Sequence, residues 1–226
     1  TASGGTEDTK YSLSPGYYNE STVLPGQSFE RYSLRVTLDQ NIGERIKIGV
    51  SSQNSYSIQE GEEVGAMYNL ITMSPLTVPR DQEGNLIFSP MTPTDDQYNP
   101  LLINRDENWE EQSRRFESFN SLYGEVQITD ALRYRVNVGL EYWQDKYGSY
   151  YGPNTPMQAG SDAAIETRHW DFYSYLIDNL LYYEKSFGRH DVKFTGLYSF
   201  EERRRTQTEA SGTGILASFV QYYDMS

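Results

Sequence analysis

Residues Leu132 to Trp143 read LRYRVNVGLEYW and alternate without a break. Leu132, Tyr134, Val136, Val138, Leu140 and Tyr142 have one parity. Arg133, Arg135, Asn137, Gly139, Glu141 and Trp143 have the other. Successive side chains of a strand point to opposite faces, so this run makes a strand with one apolar and one charged face. Such a strand needs two environments. It suits a sheet with one wet face. It also suits a membrane barrel, whose strands meet lipid outside and a watery lumen inside.

The pattern recurs along the chain. In the hairpin Phe29–Ser57, Tyr32, Leu34, Val36, Leu38, Ile46, Ile48 and Val50 form the apolar set, opposed by Arg31, Arg35 and Lys47, with a turn at Asn41–Glu44. A second hairpin, Phe116–Asp145, carries Leu122, Val126 and Ile128 into a turn at Thr129–Ala131 and then the run above. A third, Arg168–Arg204, turns at Phe187–His190, with Tyr173, Tyr175, Ile177, Leu181 and Tyr183 before the turn and Val192, Phe194, Tyr198 and Phe200 after it. Upstream, Lys10–Glu20 alternates loosely, and Pro15 interrupts it. Proline cannot donate to a ladder, so a bulge or a sheet edge is expected there.

About seven strands are therefore expected between Lys10 and Arg204, joined alternately by tight turns and long connections. Membrane barrels of the outer-membrane type have this asymmetry, whereas a sandwich spaces its strands more evenly. The expected fold is an all-β antiparallel meander, a fragment of a transmembrane β-barrel. A secreted β-sandwich that binds glycans is the alternative, and a surface glycosidase domain is a third class.

Composition agrees. Mean hydropathy is -0.71, and no apolar run approaches the roughly 18 residues of a membrane helix. Barrel strands need only about 9–11 alternating residues. The 20 Tyr, 9 Phe and 3 Trp suit aromatic girdles or a sugar-binding surface. A net charge of -13 disfavours nucleic acid, which requires a basic surface. With no Cys, disulfides and thiolate metal sites are ruled out. Thr1–Thr9 is polar and does not read as a signal peptide, so a leader was removed or the chain starts within a longer protein.

No residues suggest catalysis. His169 and His190 lie at opposite ends of one hairpin arm and cannot share a metal. The pairs Glu62-Glu63 and Asp95-Asp96 sit in a loop with nothing to orient them as glycosidase carboxylates. Asp106, Glu107, Glu110 and Glu111 supply oxygen ligands but match no defined calcium loop. Gly4-Gly5 and Gly212–Gly214 are not phosphate loops. Trp143, Trp170 and Trp109 are the better candidates for touching a ligand. Arg31, Arg35, Arg133, Arg135, Glu125, Glu141 and Trp143 are expected to face the lumen.

The long connection Ile58–Arg114 holds five prolines, acidic pairs, a turn at Asp81–Asn85 and a short helix expected over Gly65–Met73. Its apolar residues Met67, Tyr68, Leu70, Ile71 and Leu76, with Trp109, need a surface to bury against. They are the candidate partner or substrate loop.

Four segments, SGGTEDTKYSLSPGYYNE, PGQSFERYSLRVTLDQNIGERIKIG, YNLITMSPLTVPRDQEGNL and NLLYYEKSFGRHDVKFTGLYSFE, resemble the SusC/RagA-like TonB-dependent transporters, outer-membrane proteins of Bacteroidota. The resemblance covers essentially the whole chain. It implies a barrel of about 22 strands around an N-terminal plug. It also implies import of oligosaccharides or peptides, driven by TonB, with a SusD-like surface lipoprotein as lid and no enzymatic activity or cofactor. Residues 1–226 show no plug, TonB-interacting segment or closing strands, so they are expected to be the N-terminal part of such a barrel. Pro15 stands where a small non-proline residue is expected.

Overall fold

A computed structural model describes residues 1–23, 26–61, 71–90, 98–104, 108–155, 157–158, 160–214 and 222. Eight strands form one sheet: β1 Ala2–Gly5, β2 Thr9–Ser21, β3 Ser28–Ile42, β4 Ile46–Glu60, β5 Trp109–Thr129, β6 Leu132–Tyr151, β7 Ala164–Phe187 and β8 His190–Thr213. Each strand pairs antiparallel with its sequence neighbours, in the order β1 to β8. The sheet is a meander, with β1 and β8 as its open edges.

The three tight turns fall where the alternation breaks, at residues 43–45, 130–131 and 188–189. Gly43 (φ +61°) and Gly188 (φ +65°) take the left-handed conformation that these reversals need and that side chains with a Cβ resist.

Of the two outcomes expected at Pro15, a bulge or a sheet edge, the structure shows the edge: Pro15 pairs with Leu34 in an unbroken register from Thr9 to Ser21, and β1 stops opposite Leu13, so no donor is missed. The structure departs from the sequence expectation in two ways. Ala2–Gly5 adds an eighth strand. The strands also outrun the apolar pattern. β7 and β8 have 24 residues each, where about 9–11 cross a bilayer. Residues 58–60, 109–114, 146–151, 164–167 and 206–213, expected to be loop, are strand. Ladder pairing beyond a bilayer requires no apolar face, so alternation of hydrophobicity ceases while pairing continues.

The Asp81–Asn85 turn is present, closed by an Arg80–Leu86 bridge. Most of the helix expected at Gly65–Met73 lies outside the described residues; Ile71 and Thr72 are helical. No second layer covers the sheet among the described residues. Buried apolar residues are few: Tyr150, Ala163 and Ile165 cluster with Tyr222 at the loop end, and Leu102 lies in the long connection.

Candidate functional site

The register divides the wall into two faces. One rung runs Tyr11, Leu38, Val50, Leu122, Val138, Ile177, Phe200 across seven strands, apolar throughout. The adjacent rung is Lys10, Asp39, Gly49, Tyr123, Asn137, Asp178, Ser199, polar or charged but for Gly49. Leu38, Val50 and Leu122 remain 38%, 37% and 36% exposed, so this face packs on no protein layer. A sandwich would bury it. Aromatic rings flank the apolar face towards the loop end, where Tyr17 meets Tyr32 at 5.1 Å and Phe116 meets Tyr142 at 6.2 Å. Tyr134 marks the turn end. The eight steps from Tyr134 to Tyr142 span about 27 Å along the strand, or about 21 Å along the membrane normal at a barrel tilt of about 40°, near the roughly 25 Å apolar band of an outer-membrane barrel.

The polar face carries the expected lumen residues at three levels. Near the turns, Arg133 and Arg135 flank Glu125 at 3.3 and 3.5 Å. Their guanidiniums lie over Tyr182 at 4.4 Å and Tyr123 at 4.1 Å. Arg133 and Glu125 also border a cleft of about 400 Å³ with Lys47. Mid-wall, Arg35 and Glu141 border a cleft of about 340 Å³ together with Glu201. Because this cleft draws on six neighbouring strands, the sheet curves around it, with the polar face inside.

Towards the loops, Trp143 stacks on Phe172 at 5.5 Å with 16° between planes. The Arg205 guanidinium lies 5.9 Å from Trp143 and 4.7 Å from Trp170. Arg31 lines a third cleft, of about 380 Å³, with Arg115, Arg168, Glu117, Asp145 and Trp170. Sequence reading missed Arg115, Asp145, Arg168 and Arg205 as a group. They come from four strands, and only the register unites them.

The long connection packs on itself. Buried Asn99 donates through Nδ2 to Pro79 O and Ile87 O, both at 2.8 Å, and its Oδ1 accepts from Leu101 N at 3.1 Å. Asn108 donates to Leu102 O at 2.9 Å, and Gly152 N donates to Asn108 O at 2.7 Å, tying this connection to the one after β6. Trp109 packs as a wedge: a Cβ added at Gly26 would meet its ring at 2.5 Å, and one at Gly61 at 3.1 Å. Ile71, Leu76 and Val78 project into solvent, 74%, 89% and 63% exposed. Met67, Tyr68 and Leu70 lie outside the described residues, as do Asp106 and Glu107 of the acidic cluster.

An open antiparallel wall with an uncovered apolar band, flanking aromatics and a charged inner face is a piece of a transmembrane β-barrel. Comparison with known proteins gives the kind. The chain is 22% identical over 99% of its length to TonB-dependent receptor P3 of Formosa agariphila. It is 26% identical over 89% of its length to TonB-dependent receptor P39 of the same organism. It spans 23% and 19% of those curated relatives. Among solved structures, the RagAB peptide transporter superposes with a TM-score of 0.79 at 19% identity, over 97% of this chain and 25% of that one. The ferric preacinetobactin receptor BauA of Acinetobacter baumannii gives 0.52 at 14%, over 99% of this chain and 30% of that one. No family model matches. The chain is similar to part of the barrel wall of SusC/RagA-like TonB-dependent transporters, and its place is the outer membrane.

Proposed function

We propose that this chain is part of the barrel of a TonB-dependent importer that takes up oligosaccharides or other nutrients with a SusD-like surface lipoprotein. The observation that carries this reading is the paired rungs: an apolar rung from Tyr11 to Phe200 beside a polar one from Lys10 to Ser199, in a sheet open at both edges. A soluble module gains nothing from an uncovered apolar face of that extent. A barrel in lipid requires one. Arg31, Arg35, Arg133, Arg135, Glu125, Glu141 and Trp143 then line the lumen. The residues before and after 1–226 supply the plug and the remaining strands. The named relatives are receptors and transporters, which favours transport over catalysis.

The test is uptake in the native host. Cells lacking the full-length protein should fail to accumulate a fluorescently labelled oligosaccharide that wild-type cells take up, and the same loss should follow when TonB is removed. Affinity purification of the tagged transporter from wild-type cells should bring down a surface lipoprotein. Accumulation independent of both the protein and TonB would refute the import role. Purification without a lipoprotein would refute the partnership.

A further inference from the structure

We infer that the cleft at the loop end of the inner face is a subsite for an oligosaccharide carrying anionic groups, carboxylate or sulfate. The inference rests on the import reading above and names its substrate class. One rung crosses the cleft: Tyr18, Arg31, Ser57, Arg115, Asp145, Trp170, Gln207. Three arginines, Arg31, Arg115 and Arg168, line the cleft against two carboxylates, Glu117 and Asp145. Arg205 adds a fourth cation over the Trp170 ring. With Glu166 on Arg168 counted, four guanidiniums face three carboxylates, a small local excess of positive charge in a chain of net charge -13.

The cations divide into two kinds. Arg115 is held by Asp145 at 2.6 Å, and Arg168 by Glu166 at 2.7 Å. Arg31 and Arg205 have no carboxylate within ion-pair reach among the described residues; they lie over the Tyr18, Trp143 and Trp170 rings. A guanidinium on an aromatic face keeps its planar fork of donors for an anion, and a carboxylate or sulfate accepts that fork through two oxygens. Trp170 lines the cleft, and the stacked Trp143–Phe172 pair lies beyond it under the same Arg205, so the β6–β8 side of the cleft offers aromatic surface suited to the C–H face of a pyranose. Among the described residues the buried Trp170 Nε1–H has no hydrogen-bond partner. It is a donor left over for a ligand oxygen that lifts Arg205 from the ring. The Arg31 fork and Trp170 line the cleft, the Arg205 fork lies over Trp170 at its border, and the spare donor is Trp170's own; this set fits an acidic sugar better than a neutral one.

The experiment uses the full-length transporter with its lipoprotein, purified in detergent, and measures binding calorimetrically. The probes are an oligogalacturonate, a sulfated galactan oligosaccharide, a neutral oligosaccharide of equal length and an acidic peptide. One or both anionic sugars should bind at least about tenfold more tightly than the neutral one, with affinity falling as salt rises. Binding of the first alone identifies carboxylate as the anion, and of the second alone identifies sulfate. Arg31→Gln and Arg205→Gln should each remove most of that preference, Arg31→Lys should restore part of it, and Trp170→Phe should weaken binding severalfold. Heat-modifiable migration on gels checks that each variant is folded. Equal binding of neutral and anionic sugars, tighter binding of the peptide, or folded variants with unchanged preference would overturn the inference. The import reading fails separately, by loss of TonB-dependent accumulation of every probe.

Discussion

Arg115 holds Asp145 across the β5–β6 pair, with Nε 2.9 Å and Nη2 2.6 Å from the same carboxylate oxygen, Oδ2. The other oxygen accepts from Ser113 Oγ at 2.9 Å. Asp145 is nearly buried, its side chain 11% exposed, while Arg115 is 47% exposed. Solvent therefore screens the cation, and the pair is weaker than a buried one. The carboxylate has less freedom to rehydrate. Arg115→Met should destabilise the full-length barrel by about 1–2 kcal/mol, measured by denaturant titration in detergent. Adding Asp145→Leu should recover part of that loss, since a buried charge without its partner is removed. Strict additivity of the two changes would show that the pair is not coupled.

Val138 sits in the middle of the apolar rung, between Leu122 and Ile177. Val138→Arg should cost about 2–4 kcal/mol when the full barrel is folded into lipid, if the residue lies near the midplane. Ser121, beside Leu122, is exposed on the other face opposite Gly139, so Ser121→Arg should shift the same titration by about 0.5 kcal/mol or less. Equal costs at the two positions would remove the distinction between lipid and lumen faces.

The faces were legible because lipid and water impose opposite demands on alternate residues. Leu132–Tyr142 could satisfy both in only one register. The strand ends were not legible. Thr206, Thr208 and Ala210 pair with Asp171, His169 and Thr167 in a ladder that no apolar pattern announces. Trp109 reads in sequence as a ligand contact, yet its ring covers Gly26 and Gly61, which lie far away in sequence. The loop-end cleft was hidden for the same reason: Arg31, Arg115, Asp145 and Trp170 share a rung only after three hairpins have set their register.

The Asp81 turn should respond to acid. Its carboxylate accepts from Glu83 N at 2.9 Å, Asn85 N at 2.8 Å and Asn85 Nδ2 at 3.1 Å. These bonds, the Asn85 side chain's foremost, hold its pKa below the usual carboxylate range. A depressed folded pKa means that the stabilisation is complete above the unfolded value, about 3.9. It is lost as pH falls through the folded value. Protection of the Glu83 and Asn85 amides, followed by hydrogen-exchange mass spectrometry and corrected for intrinsic rates, should be flat from neutral pH to about 4 and fall below it. Asp81→Ala should lack that protection at every pH. A decline beginning near pH 6 would point to another group.

The exposed apolar residues of the long connection make the last prediction. Asn99 satisfies the backbone of the folded part of this connection, accepting from Leu101 N and donating to Pro79 O and Ile87 O. That part needs no further partner to hold its shape. Ile71, Leu76 and Val78 lie outside this arrangement, more than half exposed on the face away from the turns. Leaving three such side chains in water forfeits burial worth about 1.5–3 kcal/mol each, which a partner surface would recover. Replacing Met67–Leu76 with Gly/Ser in the full-length transporter removes Ile71 and Leu76, the two most exposed of the three, and should leave barrel folding unchanged while weakening retention of the lipoprotein on pull-down. Replacing Asp81–Asn85, the tip of the small turn, should leave retention intact. If lipoprotein recovery and uptake rate both stay at wild-type level after the Met67–Leu76 replacement, this stretch has no role in holding the partner, and its apolar residues pack on neighbouring loops instead.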